Sequence, residues 1–223
     1  QLYKEKEVLH EVPLPDGQVR QEIVNVPGEG FVFGLYNATD IPFEGGALLA
    51  DTLVATGATD SEGRLTFSGY FPHGTYYLRE LSGPRGWKLS TAHIPVNLTA
   101  DQLAPGATVI AISLEEPVHN ELVYFHVTLT KTDITGQETV PGALIEVMNA
   151  TGAVIYRAYT DAQGQIPEIP VVPGTYTFRE VLAPDGYLLN TEEMQFTIAE
   201  DGSITGDTTL RDDFNRLLLH KVD

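Results

Sequence analysis

One motif occurs twice at a fixed distance. Gly74-Thr75-Tyr76-Tyr77-Leu78-Arg79-Glu80-Leu81, followed by Pro84 and Gly86-Trp87, returns as Gly174-Thr175-Tyr176-Thr177-Phe178-Arg179-Glu180-Val181, followed by Pro184 and Gly186-Tyr187, an offset of 100 throughout. Further upstream, Thr59-Asp60-Ser61-Glu62-Gly63 matches Thr160-Asp161-Ala162-Gln163-Gly164 at offset 101, and Asn37-Ala38-Thr39 matches Asn149-Ala150-Thr151 at offset 112. A co-linear series of matches means two units built alike, each burying its own core. The shift in offset gives the first copy 112 − 101 = 11 additional residues, placed near 40–58. The expected division is therefore 1–122, 123–218, and 219–223 as the start of a further domain, because Leu219-x-Lys221-x-Asp223 repeats Leu129-x-Lys131-x-Asp133.

Each unit is expected to be all-β. Twenty-one Gly and 14 Pro punctuate stretches rich in Thr, Val and Tyr, which favours short strands and turns over long helices. The Thr-Asp-x-x-Gly segments read as hairpin turns, with Asp bonding the backbone and Gly taking positive φ; they lack the oxygen-ligand spacing of a calcium loop, so neither metal nor cofactor is expected. Thirteen basic against 31 acidic side chains, a net charge of −18, argue against a nucleic-acid partner. With no Cys, disulfides and thiolate metal sites are ruled out. No apolar run is long enough for a membrane helix. The absence of a signal segment at Gln1 and of a sorting motif at Asp223 suggests a piece of something longer.

Strand parity brings charged residues onto apolar faces. Tyr76, Leu78 and Glu80 share one face, as do Tyr176, Phe178 and Glu180; Phe125, Val127, Leu129 and Lys131 share another, and so do Val118, Asn120 and Leu122. A buried charge is costly unless paired, neutralised or chemically used. Parity alone leaves open an ordinary ion pair or a strand-end charge reaching solvent. The recurrence of Glu in both copies, with a Lys near the first strand and an Asn near the last, favours chemistry.

Gly-Thr-Tyr-x-x-x-Glu followed by Ala183-Pro184-x-Gly186-Tyr187, with Leu129-x-Lys131-x-Asp133 and Pro141-Gly142-Ala143, resembles the Cna-B-type (SpaA, prealbumin-like) domains of Gram-positive pilins and collagen-binding adhesins. The first copy departs from the pattern, with Gly83-Pro84-x-Gly86-Trp87 and an opening strand Leu2-Tyr3-Lys4-Glu5-Lys6 that leaves Lys4 and Lys6 both open; the spacing of Leu2-x-Lys4 favours Lys4. The resemblance implies two tandem reverse-Ig, prealbumin-like β-sandwiches. It further implies autocatalytic isopeptide bonds, Lys4 to Asn120 promoted by Glu80 and Lys131 to Asn215 promoted by Glu180. That chemistry happens once, so the chain is not read as an enzyme. The implied setting is the stalk of a cell-wall-anchored surface protein, with neighbouring domains of the same protein as partners.

The competing reading is a module that binds a host extracellular-matrix protein or glycan through the insertion, or through Tyr70, Phe71 and Trp87 as a sugar platform. A hydrolase is disfavoured, since no Gly-x-Ser-x-Gly occurs and the six His show no metal-ligand spacing. Asn37, Asn97 and Asn149 head glycosylation sequons that a bacterial protein would leave unused.

Overall fold

The computed structural model describes residues 2–99, 102 and 117–215. The expectation for Lys221 and for 219–223 lies outside the described residues. The chain falls into two compact units, Gln1–Val8 with Val24–Val123, and Leu9–Ile23 with Tyr124–Asp223.

The first unit contains the start of β1 (Leu2–Pro13), the end of β2 (Val19–Pro27), and β3 (Val32–Asn37), β4 (Ile41–Phe43), β5 (Gly46–Leu48), β6 (Leu53–Ala58), β7 (Arg64–Leu65), β8 (Gly74–Ser82), β9 (Ile94–Leu98) and β10 (Val118–Asn120). One layer is the antiparallel sheet β6-β3-β8-β9. The other is β1, paired in parallel with β10 and antiparallel with β7. Leu2, Phe31, Phe33, Leu35, Tyr76, Leu78 and Val96 form the core between them.

The second unit repeats the plan with β11 (Phe125–Asp133), β12 (Leu144–Met148), β13 (Val154–Tyr159), β14 (Gln165–Val171), β15 (Gly174–Leu182), β16 (Met194–Ile198), β17 (Ile204–Gly206) and β18 (Thr209–Asp212). Here β13-β12-β15-β16-β17 faces β14-β11-β18 across a core that includes Val127, Leu129, Val147, Ile169, Phe178, Phe196 and Leu210. In each unit the opening and closing strands are adjacent and parallel. No helix long and apolar enough to cross a membrane occurs among the described residues.

The compact units differ from the expected division 1–122 and 123–218 at one place. The tip of the β1–β2 hairpin, Leu9–Ile23, belongs to the second unit, where Val19 pairs with Arg157 and Arg157 Nη1 donates to the Gly17 carbonyl at 3.2 Å. The cause is a difference between the opening strands. In β11, Asp133 Oδ1 accepts from the amides of Gln137 and Glu138 and turns the chain; Lys6 at the matching place makes no such turn, so β1 runs on to Pro13.

The insertion is the β4–β5 hairpin. Asn37, fully buried, holds it: Nδ2 donates to the carbonyls of Thr39, Leu48 and Leu49, and Oδ1 accepts from Thr52 N. The Thr-Asp-x-x-Gly segments are turns in which Asp60 Oδ1 caps Glu62 N and Arg64 N, and Asp161 Oδ1 caps Gln163 N and Gln165 N.

Candidate functional site: a buried amine beside a carboxyl in each unit

The turns aim the lysines. Gly63, at φ 74°, and Gly164, at φ 69°, each accept a backbone hydrogen bond at 2.7 Å from the amide of the lysine that matters, Lys4 and Lys131. The approach is so close that a Cβ at Gly63 would lie 2.3 Å from the Lys4 carbonyl oxygen, and one at Gly164 would lie 2.6 Å from that of Lys131. Only glycine satisfies both the positive φ and the contact.

Lys4 is completely buried. Its Nζ donates to Asn120 Oδ1 at 2.5 Å and to the carbonyls of Glu5 and Val118 at 3.1 Å, and lies 4.6 Å from the centre of the Phe31 ring. Asn120 Nδ2 donates to both oxygens of Glu80, at 3.0 and 3.1 Å, and Glu80 Oε1 stands 4.0 Å from Lys4 Nζ. Ser90 N holds Glu80 Oε2 at 2.6 Å. Burial depresses the Lys4 amine to about 8, against the opposing pull of Glu80 and then Glu5. Lys6 lies elsewhere, its Nζ 4.5 Å from the Trp87 ring centre, and Lys4 is the lysine that stands beside Asn120.

In the second unit, Lys131 is equally buried, with Glu180 Oε1 3.3 Å from its Nζ and Asn190 N holding Glu180 Oε2 at 2.8 Å. The expected partner Asn215 is not there. It lies exposed beyond the end of β18, its amide donating to the Gly186 carbonyl at 2.9 Å. The group that Lys131 Nζ contacts directly is Asp212 Oδ1, and Asp212 is fully buried.

Register accounts for the difference between the two placements. Lys4 pairs with Val118 and the acceptor is two residues on, at Asn120; Lys131 pairs with Leu210 and the acceptor is two residues on, at Asp212. The bridges Trp87↔Leu122 and Tyr187↔Phe214 extend the same alignment. Val118-x-Asn120-x-Leu122 therefore corresponds to Leu210-x-Asp212-x-Phe214, a pattern visible in sequence to parity but not to a search for asparagine. Asn215 has the wrong parity.

The two sites differ in charge. The first holds one amine, one carboxyl and a neutral amide. The second crowds two carboxyls around one amine, and neither Glu180 Oε1 nor Asp212 Oδ2 has a hydrogen-bond partner among the described residues. Burial, and after it the Asp212 carboxylate, push the Glu180 carboxyl up, against the opposing pull of Asn190 N and Lys131. No group of three metal-ligating side chains occurs among the described residues.

The sugar platform is not assembled. Phe71 and Trp87 pack against the first core, Trp87 Nε1 donates to the Glu7 carbonyl at 2.7 Å, and Tyr70 is the exposed member of the three.

The fold and these sites define a class: tandem all-β sandwiches whose first and last strands flank a buried Lys–Glu–Asn or Lys–Glu–Asp triad. The family model described as SpaA, prealbumin-like fold domain, matches residues 25–110 and 125–212, and the chain belongs to that family. Among solved structures it is similar to the Bacillus anthracis TIE protein, at TM-score 0.54 and 20% identity over 93% of this chain and 41% of that one. It is also similar to a C-terminal fragment of the pilus adhesin SpaC from Lactobacillus rhamnosus GG, at TM-score 0.50 and 17% identity over 86% of this chain and 92% of that one. Comparison with curated protein sequences finds no match.

Proposed function

We propose that this chain is a structural spacer of a surface-exposed pilus or adhesin, made rigid by two self-formed isopeptide bonds, Lys4–Asn120 and Lys131–Asp212. The observation that carries it is the pairing of a buried Lys with an amide or carboxyl carbon on the neighbouring parallel strand, beside a buried Glu, in both units.

In the first unit the neutral Lys4 amine attacks Asn120 Cγ; the C–Nδ2 bond breaks, and Glu80 relays the amine proton to the departing nitrogen, releasing ammonia. In the second, Lys131 passes one ammonium proton to the Asp212 carboxylate and attacks Asp212 Cγ as the neutral amine; the C–O bond breaks, Glu180 protonates the departing hydroxyl, which leaves as water, and Glu180 takes back the proton that the new amide nitrogen loses. Each reaction happens once, so the chain is its own substrate and no enzyme. Each bond ties the opening to the closing strand, and tension between a unit's ends passes through the covalent link instead of peeling the sheets apart.

The role as a spacer, with neighbouring domains of the same protein as partners and a cell-wall anchor elsewhere in the parent, rests on the family and on this strand geometry. Single-molecule pulling tests it: wild type should show no unfolding step for either unit, whereas Glu80→Ala with Glu180→Ala should restore both. Full-length unfolding of the wild type contradicts the reading.

A further inference from the structure

The acceptor is held differently in the two units. Asn120 is gripped at both polar atoms of its side chain: Lys4 Nζ donates to Oδ1 at 2.5 Å, and Nδ2 donates to the two Glu80 oxygens at 3.0 and 3.1 Å. Asp212 is gripped at one. Lys131 Nζ donates to Oδ1, while Asp212 Oδ2 and Glu180 Oε1 have no hydrogen-bond partner among the described residues. An ionised carboxyl only accepts hydrogen bonds, so Asp212 has no N–H with which to tie itself to Glu180. Its strand, β18, is also the end strand of its sheet, paired there with β11 alone.

In both units the segment after the glutamate strand braces the closing strand. Lys88 N donates to the Glu121 carbonyl and Leu188 N to the Asp213 carbonyl, each at 2.9 Å. Two residues on, Ser90 and Asn190 head the same turn. Their amides hold Glu80 Oε2 at 2.6 Å and Glu180 Oε2 at 2.8 Å, and their side-chain oxygens accept from Ala92 N at 3.2 Å and Glu192 N at 2.8 Å. There the likeness ends. Serine has no second polar atom on its side chain, whereas Asn190 Nδ2 donates to the carbonyl of Arg211, the residue before Asp212, at 2.8 Å. Asn190 thus holds Glu180 with its backbone and the acceptor's strand with its side chain.

We propose that Asn190 is the positioning residue of the second cross-link, fixing Asp212 against Lys131 and Glu180 through the Arg211 carbonyl because Asp212 lacks the amide by which Asn120 fixes itself. The inference rests on the cross-link reading of that site and gives Asn190 no chemical step. Attack requires Asp212 Cγ to stay within reach of the Lys131 amine, and a small displacement there costs more rate than the lost hydrogen bond alone. The residue at the turn and the acceptor are then matched: Ser90 accompanies a self-anchoring Asn120, and Asn190 accompanies an Asp212 that needs an anchor.

Four proteins form a cycle that tests the match: the parent chain, Asn190→Ser, Asp212→Asn, and the two changes together. Asn190→Ser keeps an oxygen for the turn, as Ser90 does in the first unit, and removes the donor to Arg211. Each protein is made by cell-free synthesis, and the branched Lys131 peptide is followed by mass in timed digests, with water lost from Asp212 and ammonia lost from the Asp212→Asn proteins. Asn190→Ser should slow the bond by about fivefold or more in the parent and by less than about twofold in the Asp212→Asn protein, whose acceptor amide can donate to Glu180. Equal slowing in both backgrounds makes Asn190 a merely structural residue and overturns the proposal, as does no slowing in either. A parent that never loses water refutes the cross-link reading instead. Amide hydrogen exchange along β18 in the same four proteins then decides the clamp, which stands if Asn190→Ser speeds exchange beside Asp212 alone and falls otherwise.

Discussion

At the scale of residues, what sets the chemistry is how each titratable group is buried. Lys4, at about 8, becomes neutral as pH rises toward that value, so the first bond should form faster in protein refolded at pH 8 than at about pH 6. The second site should respond in the opposite direction. Glu180 is raised above the usual carboxyl range by burial and by Asp212, and raising the pH removes the proton that lets water leave. Time-resolved mass analysis of digests, following each cross-linked peptide separately, checks both signs. The proposed acceptor is tested the same way: Asp212→Ala should abolish the second bond and leave the first, whereas Asn215→Ala should leave both, because Asn215 is exposed beyond the end of β18.

At the scale of elements, the turn and the reactive strand are one device. Gly164→Ala would put a Cβ 2.6 Å from the Lys131 carbonyl oxygen and 2.9 Å from the Val140 amide at φ 69°, a strain of about 1–3 kcal/mol on backbone atoms that cannot step aside. Gly152→Ala, at φ 81° with nothing within 4 Å, should cost about 1 kcal/mol. Thermal denaturation should rank the two in that order, and only Gly164→Ala should also slow the second bond. These elements show what was legible beforehand. The offset of 100 announced paired units, parity placed Glu80, Glu180, Lys131 and Asn120 on core faces, and the spacing Leu2-x-Lys4 favoured Lys4 over Lys6. Parity also contained Asp212, between Leu210 and Phe214, but a search restricted to amide acceptors passed over a carboxyl that reacts by losing water. The long β1–β2 hairpin was hidden for a different reason: its tip pairs with β13, more than a hundred residues away, and local pattern carries no such contact.

At the scale of the whole molecule, the proposed bonds would close loops of 120 − 4 + 1 = 117 and 212 − 131 + 1 = 82 residues. By analogy with disulfides, each would restrict the unfolded state by roughly 4 to 5 kcal/mol. A chain without Cys would thereby gain a constraint of the kind that disulfides supply elsewhere. Glu80→Ala with Glu180→Ala should lower the melting temperature and admit proteases that leave the wild type intact. The most direct measurement is the mass of the intact folded protein. The predicted result is the sequence mass less one ammonia and one water, with digests yielding the branched peptides Lys4–Asn120 and Lys131–Asp212. The full sequence mass, with both lysines recovered in linear peptides, would contradict the cross-linked account outright.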